Sequence, residues 1–392
     1  MRIAFVSECY PSPERPEYCG YLEHQAQALA RLGHIVETIV PIVQNNVKAG
    51  EQREQNGIVV RNVYIRRRKI DKIYAQLKNR LQRANIEWQN YDVVSIHIVS
   101  NALCEAIARE CNNAGVPAVM HFHGLNVWKD YYQKRDPYHI FKHSIETVRK
   151  EKYLKKMDAI VGVSEKVCSV VRQRVADVPC NVVYNGVDSE FFNTNQEKCK
   201  TNDSFVILCV ANLIPIKGHR YLLRAVANMI AKGNNISVRL IGVGSELDNL
   251  KELCKELNIS DFVKFLGAKQ YDVVAEEMRC SDMFIMPSYY EALGCVYLEA
   301  MCSGTVTCGC YENGIEEIMR DKQDGILVSP QNEVEIEEAI QLVIENPSLA
   351  KEMAANGVQR AMEFSWESSA IQLEKVYQQI LKGRKEKAEC TE

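Results

Sequence analysis

With 392 residues, 46% of them hydrophobic and 25% charged, the chain is too long for one compact core and has the composition of a globular protein in two domains of ordinary size. A formal net charge of −3 argues against nucleic acid as a partner. No apolar run approaches the length of a bilayer crossing, and Glu8 interrupts any signal-peptide core near the start, so a cytoplasmic chain is expected.

The 15 Cys are odd in number and fall into no disulfide framework, so reduced thiols serving as small core residues are expected. Cys308-Gly-Cys310 has no second Cys/His pair with which to hold a metal.

In chain order, Arg2-Ile-Ala-Phe-Val6 reads as a buried strand, and the loop to Gly20 carries three Pro. Tyr21 to Leu32 forms an amphipathic helix ended by Gly33, and Ile35 to Val40 is the next strand. This βαβ start implies a parallel sheet, with further strands expected at 93–96, 118–121, 160–163 and 182–184. The first turn lacks the dinucleotide glycine fingerprint, which disfavours a nicotinamide cofactor. From Arg66 to Arg83, basic residues interleave with Ile70, Ile73, Tyr74, Leu77 and Leu81 at helical spacing. Such a helix can lie on an anionic membrane surface or pack with a solvated charged back.

His121-Phe-His123-Gly124 directly follows a strand. A His at a strand's end above a crevice can hydrogen-bond a sugar hydroxyl, and Gly124 allows close backbone approach. His97 ends another strand, where packing and hydrogen bonding beneath the site are expected; alternation turns His121 away from the direction of His123. Asn185-Gly186-Val187-Asp188 is a turn. From Ser189 to Asp203 the chain becomes polar and irregular, which places a domain boundary there.

The alternation restarts with Phe205 to Val210, followed by Asn212-Leu-Ile-Pro-Ile-Lys217-Gly218 and a helix from about His219 to Ala231. Lys217, beside Gly218 at the helix start, is placed to neutralise a diphosphate, and Asn212 can donate one hydrogen bond. A further strand and the glycine turn Gly242-Val-Gly244 would line the nucleotide side.

The stretch from Asp282 to Met319 carries most information. A strand from Met283 ends at Pro287-Ser288, a polar loop runs from Tyr289 to Gly294, and helical spacing follows. Glu291 precedes the helix and Glu299 lies more than a turn inside it, so both carboxylates can face the space above the strand's carboxyl end. The helix N-terminus at Leu293, Gly294, Cys295 and Val296 offers backbone N–H groups to an anion. Phe364 to Leu381 ends in a long amphipathic helix, and 382–392 is polar and expected to be disordered.

Glu291 and Glu299, eight positions apart with Gly294 and the Glu-Ala-Met run at 299 to 301, resemble the nucleotide-sugar site of the retaining glycosyltransferases of family four, also termed group 1, which have the GT-B fold. The other motifs are similar to that family's and come in its order. Cys19-Gly20 matches its glycine-rich loop, with Cys19 in place of a glycine. His123 matches the His that contacts the transferred sugar, and the Asn185 to Asp188 turn matches the one before its linker. Lys217-Gly218 matches its Lys-Gly pair, with Asn212 standing for an Arg and removing a bidentate guanidinium. Glu312-Asn313-Gly314 and Glu317-Ile318 resemble its second glycine loop.

The resemblance implies an α/β protein of two facing Rossmann-like domains with a crevice between them. Residues 1–190 would be the acceptor domain, 204–365 the nucleotide-sugar domain, 366–382 a helix crossing back to the first, and 383–392 a tail. It implies retaining, hexosyltransferase-type transfer from a nucleotide sugar, foremost a UDP-sugar, to a glycan or lipid-linked acceptor in cell-surface polysaccharide synthesis. No cofactor and no metal are expected, in keeping with the lack of any Asp-x-Asp. Glu291, His123 and Lys217 would be catalytic; Gly20, Asn212, Lys217, Gly244, Leu293, Gly294, Cys295, Val296 and Glu299 would bind the donor. The basic 66–83 helix would provide peripheral contact with the inner face of the membrane. A nucleotide-sugar epimerase or a non-catalytic partner protein could share the architecture.

Overall fold

The computed structural model describes residues 1–12, 19–44, 51–66, 86–124, 147–193 and 204–389. The chain forms two compact units, Met1–Tyr184 with Trp366–Glu392, and Asn185–Ser365. The first is built on β1 (Arg2–Val6), β2 (Ile35–Gln44), β3 (Glu51–Gln55), β4 (Ile58–Arg66), β5 (Val93–Ile96), β6 (Ala118–Phe122), β7 (Ala159–Gly162) and β8 (Cys180–Val182). Their order is β3-β4-β2-β1-β5-β6-β7-β8. Only the β3–β4 pair is antiparallel. Strands β5, β6 and β7 are buried at every position, as expected of parallel strands covered on both faces.

The β3–β4 hairpin has no counterpart among the expected strands, because β3 is entirely polar. It turns at Asn56-Gly57, both at positive φ, the dipeptide a two-residue hairpin favours. The basic stretch after Arg66 lies outside the described residues, and with it the expected membrane contact. Among the described residues, no helix is long and apolar enough to cross a membrane. Every described cysteine is a free thiol.

The last helix, Trp366–Glu389, packs in the first unit, where Ala370, Leu373 and Tyr377 share a core with Leu22, Ala26 and Leu29 of the Gly20–Arg31 helix. It runs past residue 382 to Glu389, which corrects the expectation of disorder for 383–389; 390–392 lie outside the described residues. Arg384 donates to both oxygens of Asp158, at 2.7 and 2.9 Å, and to the Gly115 carbonyl at 2.7 Å. Lys382 and Glu386, one turn apart, lie 3.9 Å from each other. The polar end is thus tied to loops of the sheet.

The second unit holds β9 (Phe205–Val210), β10 (Ile236–Ile241), β11 (Val263–Gly267), β12 (Met283–Ile285), β13 (Val306–Cys310) and β14 (Ile326–Val328). Their order is β11-β10-β9-β12-β13-β14, and all are parallel. Its start at Asn185 falls a few residues ahead of the polar stretch. Val187 bridges to Ser365, and Asp188 caps the Ser189–Phe192 helix by accepting from the Phe191 N–H at 3.0 Å. Each sheet is wound in both directions from its first strand. The winding reverses between β1 and β5 in one sheet and between β9 and β12 in the other, and open parallel sheets bind ligands at the carboxyl ends beside such a reversal.

Candidate active site

At the reversal of the second sheet, the chain leaving β9 makes a turn over Pro215–Lys217 and enters the His219–Ala231 helix through Gly218, at φ +72°. A Cβ at Gly218 would lie 2.0 Å from the Pro287 carbonyl oxygen, so the loops after β9 and β12 touch where only glycine fits. Lys217 and Glu291 form an ion pair across this contact, and each side chain is 17% exposed.

The loop that carries Glu291 is propped from below. Its N–H donates to Asn313 Oδ1 at 2.7 Å, and Asn313 Nδ2 donates to the Ser288 carbonyl, also at 2.7 Å. The Gly314 N–H donates to the Glu291 carbonyl at 3.2 Å. Asn313 is 2% exposed, so the segment read as a second glycine loop acts here as a buried clamp.

The Cys295–Cys302 helix begins at Gly294, φ +79°, with no side chain capping it. Its first amides, which have no partner within the helix, stay available to an anion. One turn on, Glu299 accepts a hydrogen bond from the Tyr271 hydroxyl at 3.2 Å, and burial pushes its carboxyl up to about 7. Tyr271 stacks on Phe191 at 4.9 Å. Asn185 Nδ2 lies 3.3 Å from Cys295 Sγ, which puts the Asn-Gly-Val-Asp turn in the wall of this site. No local pattern in the sequence signals Tyr271, and the Asn-Gly turn is the one signal for the Asn185 contact.

Asn212 is exposed at the end of β9. The next residue, Leu213, donates its N–H to the Val243 carbonyl at 2.9 Å. A Cβ at Gly244 would lie 2.2 Å from the Leu213 carbonyl oxygen, so Gly244 serves the close approach of the β9 and β10 loops.

At the reversal of the first sheet, the Glu8 N–H donates to the Ile98 carbonyl at 2.7 Å, and the Glu8 carboxylate accepts from the Ser100 N–H at 2.6 Å. Cys19, in place of the family's glycine, stands before the Gly20–Arg31 helix in the left-handed region at φ +58°, a conformation that costs a non-glycine residue roughly 1 kcal/mol. The Tyr21 ring lies 4.7 Å from that of His123, which brings the Gly20 loop and His123 together. His123 Nε2 is 3.0 Å from His97 Nδ1. His121 turns to Ser95 Oγ, at 2.8 Å from its Nε2. Burial holds His123 down to about 3 and His97 and His121 well below the usual imidazole value, so all three rings are neutral. Ligand nitrogens of the three lie within 4.8 Å of one another, a spacing and donor type that suit a soft divalent cation. As the rings stand, the nearest pair shares a hydrogen bond instead.

Residues 191–360 match the family described as Glycosyl transferases group 1, and residues 21–191 match Glycosyltransferase Family 4. An uncharacterised glycosyltransferase of Methanocaldococcus jannaschii is 30% identical over 227 residues, 55% of this chain and 57% of its own length. The D-inositol 3-phosphate glycosyltransferase of Corynebacterium kroppenstedtii is 30% identical over 184 residues, 45% of this chain and 41% of its own. The chain thus spans about half the length of these curated relatives. Among solved structures, Anabaena HepE in complex with UDP is similar in fold, with a TM-score of 0.75 at 19% identity over 97% of this chain and 100% of that one.

Proposed function

Because the chain belongs to the group 1, family-four glycosyltransferases and has the GT-B fold, we propose that it moves a sugar from a nucleotide sugar, with UDP as the nucleotide, to a glycan or lipid-linked acceptor. Transfer retains the configuration of the anomeric carbon and uses neither a metal ion nor another cofactor. The observation that carries this reading is the Lys217–Glu291 pair at the β9–β12 reversal, beside the open helix start at Gly294. HepE has been solved with UDP and with UDP-glucose, which supports the choice of nucleotide.

The roles follow from where charge develops. As the bond from the anomeric carbon to the diphosphate breaks, negative charge grows on the leaving group and positive charge on the sugar ring. Lys217 and the first amides of the Cys295–Cys302 helix stabilise the leaving group, and Gly20 leaves room for backbone approach. Glu291 holds sugar hydroxyls, exchanging its ion pair for them as Lys217 turns to phosphate. Glu299 accepts the ribose hydroxyls, and His123 contacts a hydroxyl of the transferred sugar. The acceptor attacks on the face the diphosphate leaves, and the departing phosphate oxygen takes its proton. We place the reaction in cell-surface polysaccharide synthesis at the cytoplasmic face of a membrane, on the strength of the resemblance and the basic 66–83 stretch.

Thermal unfolding with UDP, GDP and ADP in turn, each with EDTA, tests the donor. A nucleotide at about a hundred times its dissociation constant stabilises the fold by roughly 2.7 kcal/mol. A shift with UDP alone supports the reading, and a shift with another base replaces UDP. No shift with any nucleotide overturns it in favour of a non-catalytic partner. Conversion of the UDP-sugar to an epimer without acceptor would make the chain an epimerase, and NMR of the product's anomeric proton reads retention directly.

A further inference from the structure

His97 carries an inference that rests on the reading of His123 as a sugar contact. It directly follows β5, its N–H donates to the Val6 carbonyl at 2.9 Å, and the residue is 1% exposed. Its ring is packed against Phe5, at 4.4 Å, and His121, at 4.2 Å. Backbone and packing therefore fix the ring. Its Nδ1 meets His123 Nε2 at 3.0 Å, while His97 Nε2 and His123 Nδ1 are buried without a hydrogen-bond partner among the described residues. His121 does not compete for these nitrogens, because its Nε2 lies 2.8 Å from Ser95 Oγ and 3.5 Å from the Tyr377 hydroxyl.

Two neutral rings that share one hydrogen bond can place their protons in two ways. If His123 donates from Nε2, the proton of His97 must sit on its own Nε2. That leaves an N–H walled in by packed rings with nothing to meet, at a cost of about 1–3 kcal/mol. If His97 donates from Nδ1, its Nε2 keeps only a lone pair, and the proton of His123 must sit on Nδ1. The unpaired donor then lies on His123 Nδ1, which is itself covered in the ligand-free chain but belongs to a half-buried ring beside Tyr21 rather than to one 1% exposed, so a sugar hydroxyl that displaces this cover can satisfy it. We propose that His97 is a positioning residue that holds His123 as the Nδ1–H tautomer, so that His123 offers the transferred sugar a hydrogen-bond donor. No proton needs to move in this role. His97 sets which atom of His123 faces the sugar and keeps that choice from exchanging.

The test combines a spectroscopic and a kinetic readout on the full chain. Long-range 1H–15N spectra of protein labelled on its 8 His, with His123 assigned by its loss in H123Q, report the tautomer directly. The wild type is expected to show His123 protonated at Nδ1. H97F keeps the packing on Phe5 but has no nitrogen, and it should let His123 change to, or exchange with, the Nε2–H form. H97N places an amide near the former Nδ1 and should restore the Nδ1–H form. With a donor that turns over, H97F should lower kcat about 10- to 100-fold with the donor KM within about twofold, and H97N should recover most of the loss.

A wild-type His123 protonated at Nε2, or a tautomer that H97F leaves unchanged, overturns the proposal. So does a kcat that falls equally in H97F and H97N. If the tautomer responds as expected but no nucleotide sugar is turned over, the positioning stands and the transferase reading fails. The wild-type result needs only H123Q to fold, for the assignment, and does not depend on H97F or H97N.

Discussion

Burial changes the chemistry of Glu299 as well as its position. Its carboxyl rises from the ordinary 4.5 to about 7, so between those values the folded chain keeps a proton that the unfolded chain has lost. Stability therefore falls as pH rises from about 4.5 to about 7 and levels off beyond, the reverse of a salt-bridged carboxylate. The total loss is at most about 3 kcal/mol. Glu299→Gln, neutral at every pH, should remove the slope. Urea unfolding at pH 5 and pH 8 checks this: the variant should overtake the wild type at pH 8, and identical pH dependence in both would refute the assignment. Lys217 and Glu291 give a second prediction. Glu291→Ala releases Lys217 to meet the diphosphate, so UDP affinity should hold or rise while transfer is abolished; intact turnover would sink its assignment. Lys217→Ala leaves a 17%-exposed carboxylate without its cation and should weaken UDP by roughly 2 kcal/mol in a titration. An equal loss of UDP in both variants would mean that the pair only braces the loops. These side chains are legible in the sequence because Gly218, Pro287 and Gly294 punctuate the strand ends and helix starts around them. Their supports are not. Asn313 reaches Glu291 from 22 positions away and Tyr271 reaches Glu299 from 28, so no local pattern announces either.

The Trp366–Glu389 helix is the element whose sequence says least about its surroundings. Its apolar spacing announces a packed helix but not the sheet it packs on, and its polar end carries no sign that Asp158 waits to receive Arg384. Strands β1, β5, β6 and β9 are plain as apolar runs, while β3 reads Glu-Gln-Arg-Glu-Gln with no apolar residue, and the short Ile58-Val-Val60 run that opens β4 is cut by Arg61-Asn62, despite Asn56-Gly57 between the two strands. Leu373, fully buried in the first unit's core, should cost about 2–5 kcal/mol when cut to Ala, measured by denaturant midpoint. Ending the chain at residue 382 removes the bidentate Arg384–Asp158 contact and the bond to the Gly115 carbonyl. The loss should be about 1–3 kcal/mol, since the arginine is partly exposed and its charge-assisted bonds are discounted by solvent. Arg384→Ala should reproduce most of it. A truncated chain as stable as the full one would show that the last turns are idle.

At the scale of the whole molecule, the alternation of strands and helices runs twice, and each run closes a sheet with its own winding reversal. That doubling is visible in the sequence. The return of the final helix to the first unit is given by the family resemblance and not by local spacing, while the assignment of Asn185 to Asn193 to the second follows from long-range contacts that the sequence does not display. The division also locates the response to the donor. Lys217, Gly244, Gly294 and Glu299 all hang from the carboxyl ends of strands in the Asn185–Ser365 unit, on loops held together by Gly218 against Pro287 and by Asn313 against Ser288. A bound nucleotide favours only conformations in which these loops are closed on one another, so it suppresses their local opening by an amount set by its occupancy. Hydrogen exchange of the full chain with saturating UDP should therefore slow most at 213–219, 242–247 and 288–299. Of these, the amides of Cys295 and Val296 should gain direct protection, because they lack a helical acceptor until an anion arrives. Protection confined to Met1–Tyr184 would place the nucleotide on the wrong unit, and would leave the Lys217–Glu291 pair as a brace between loops with no part in binding the donor.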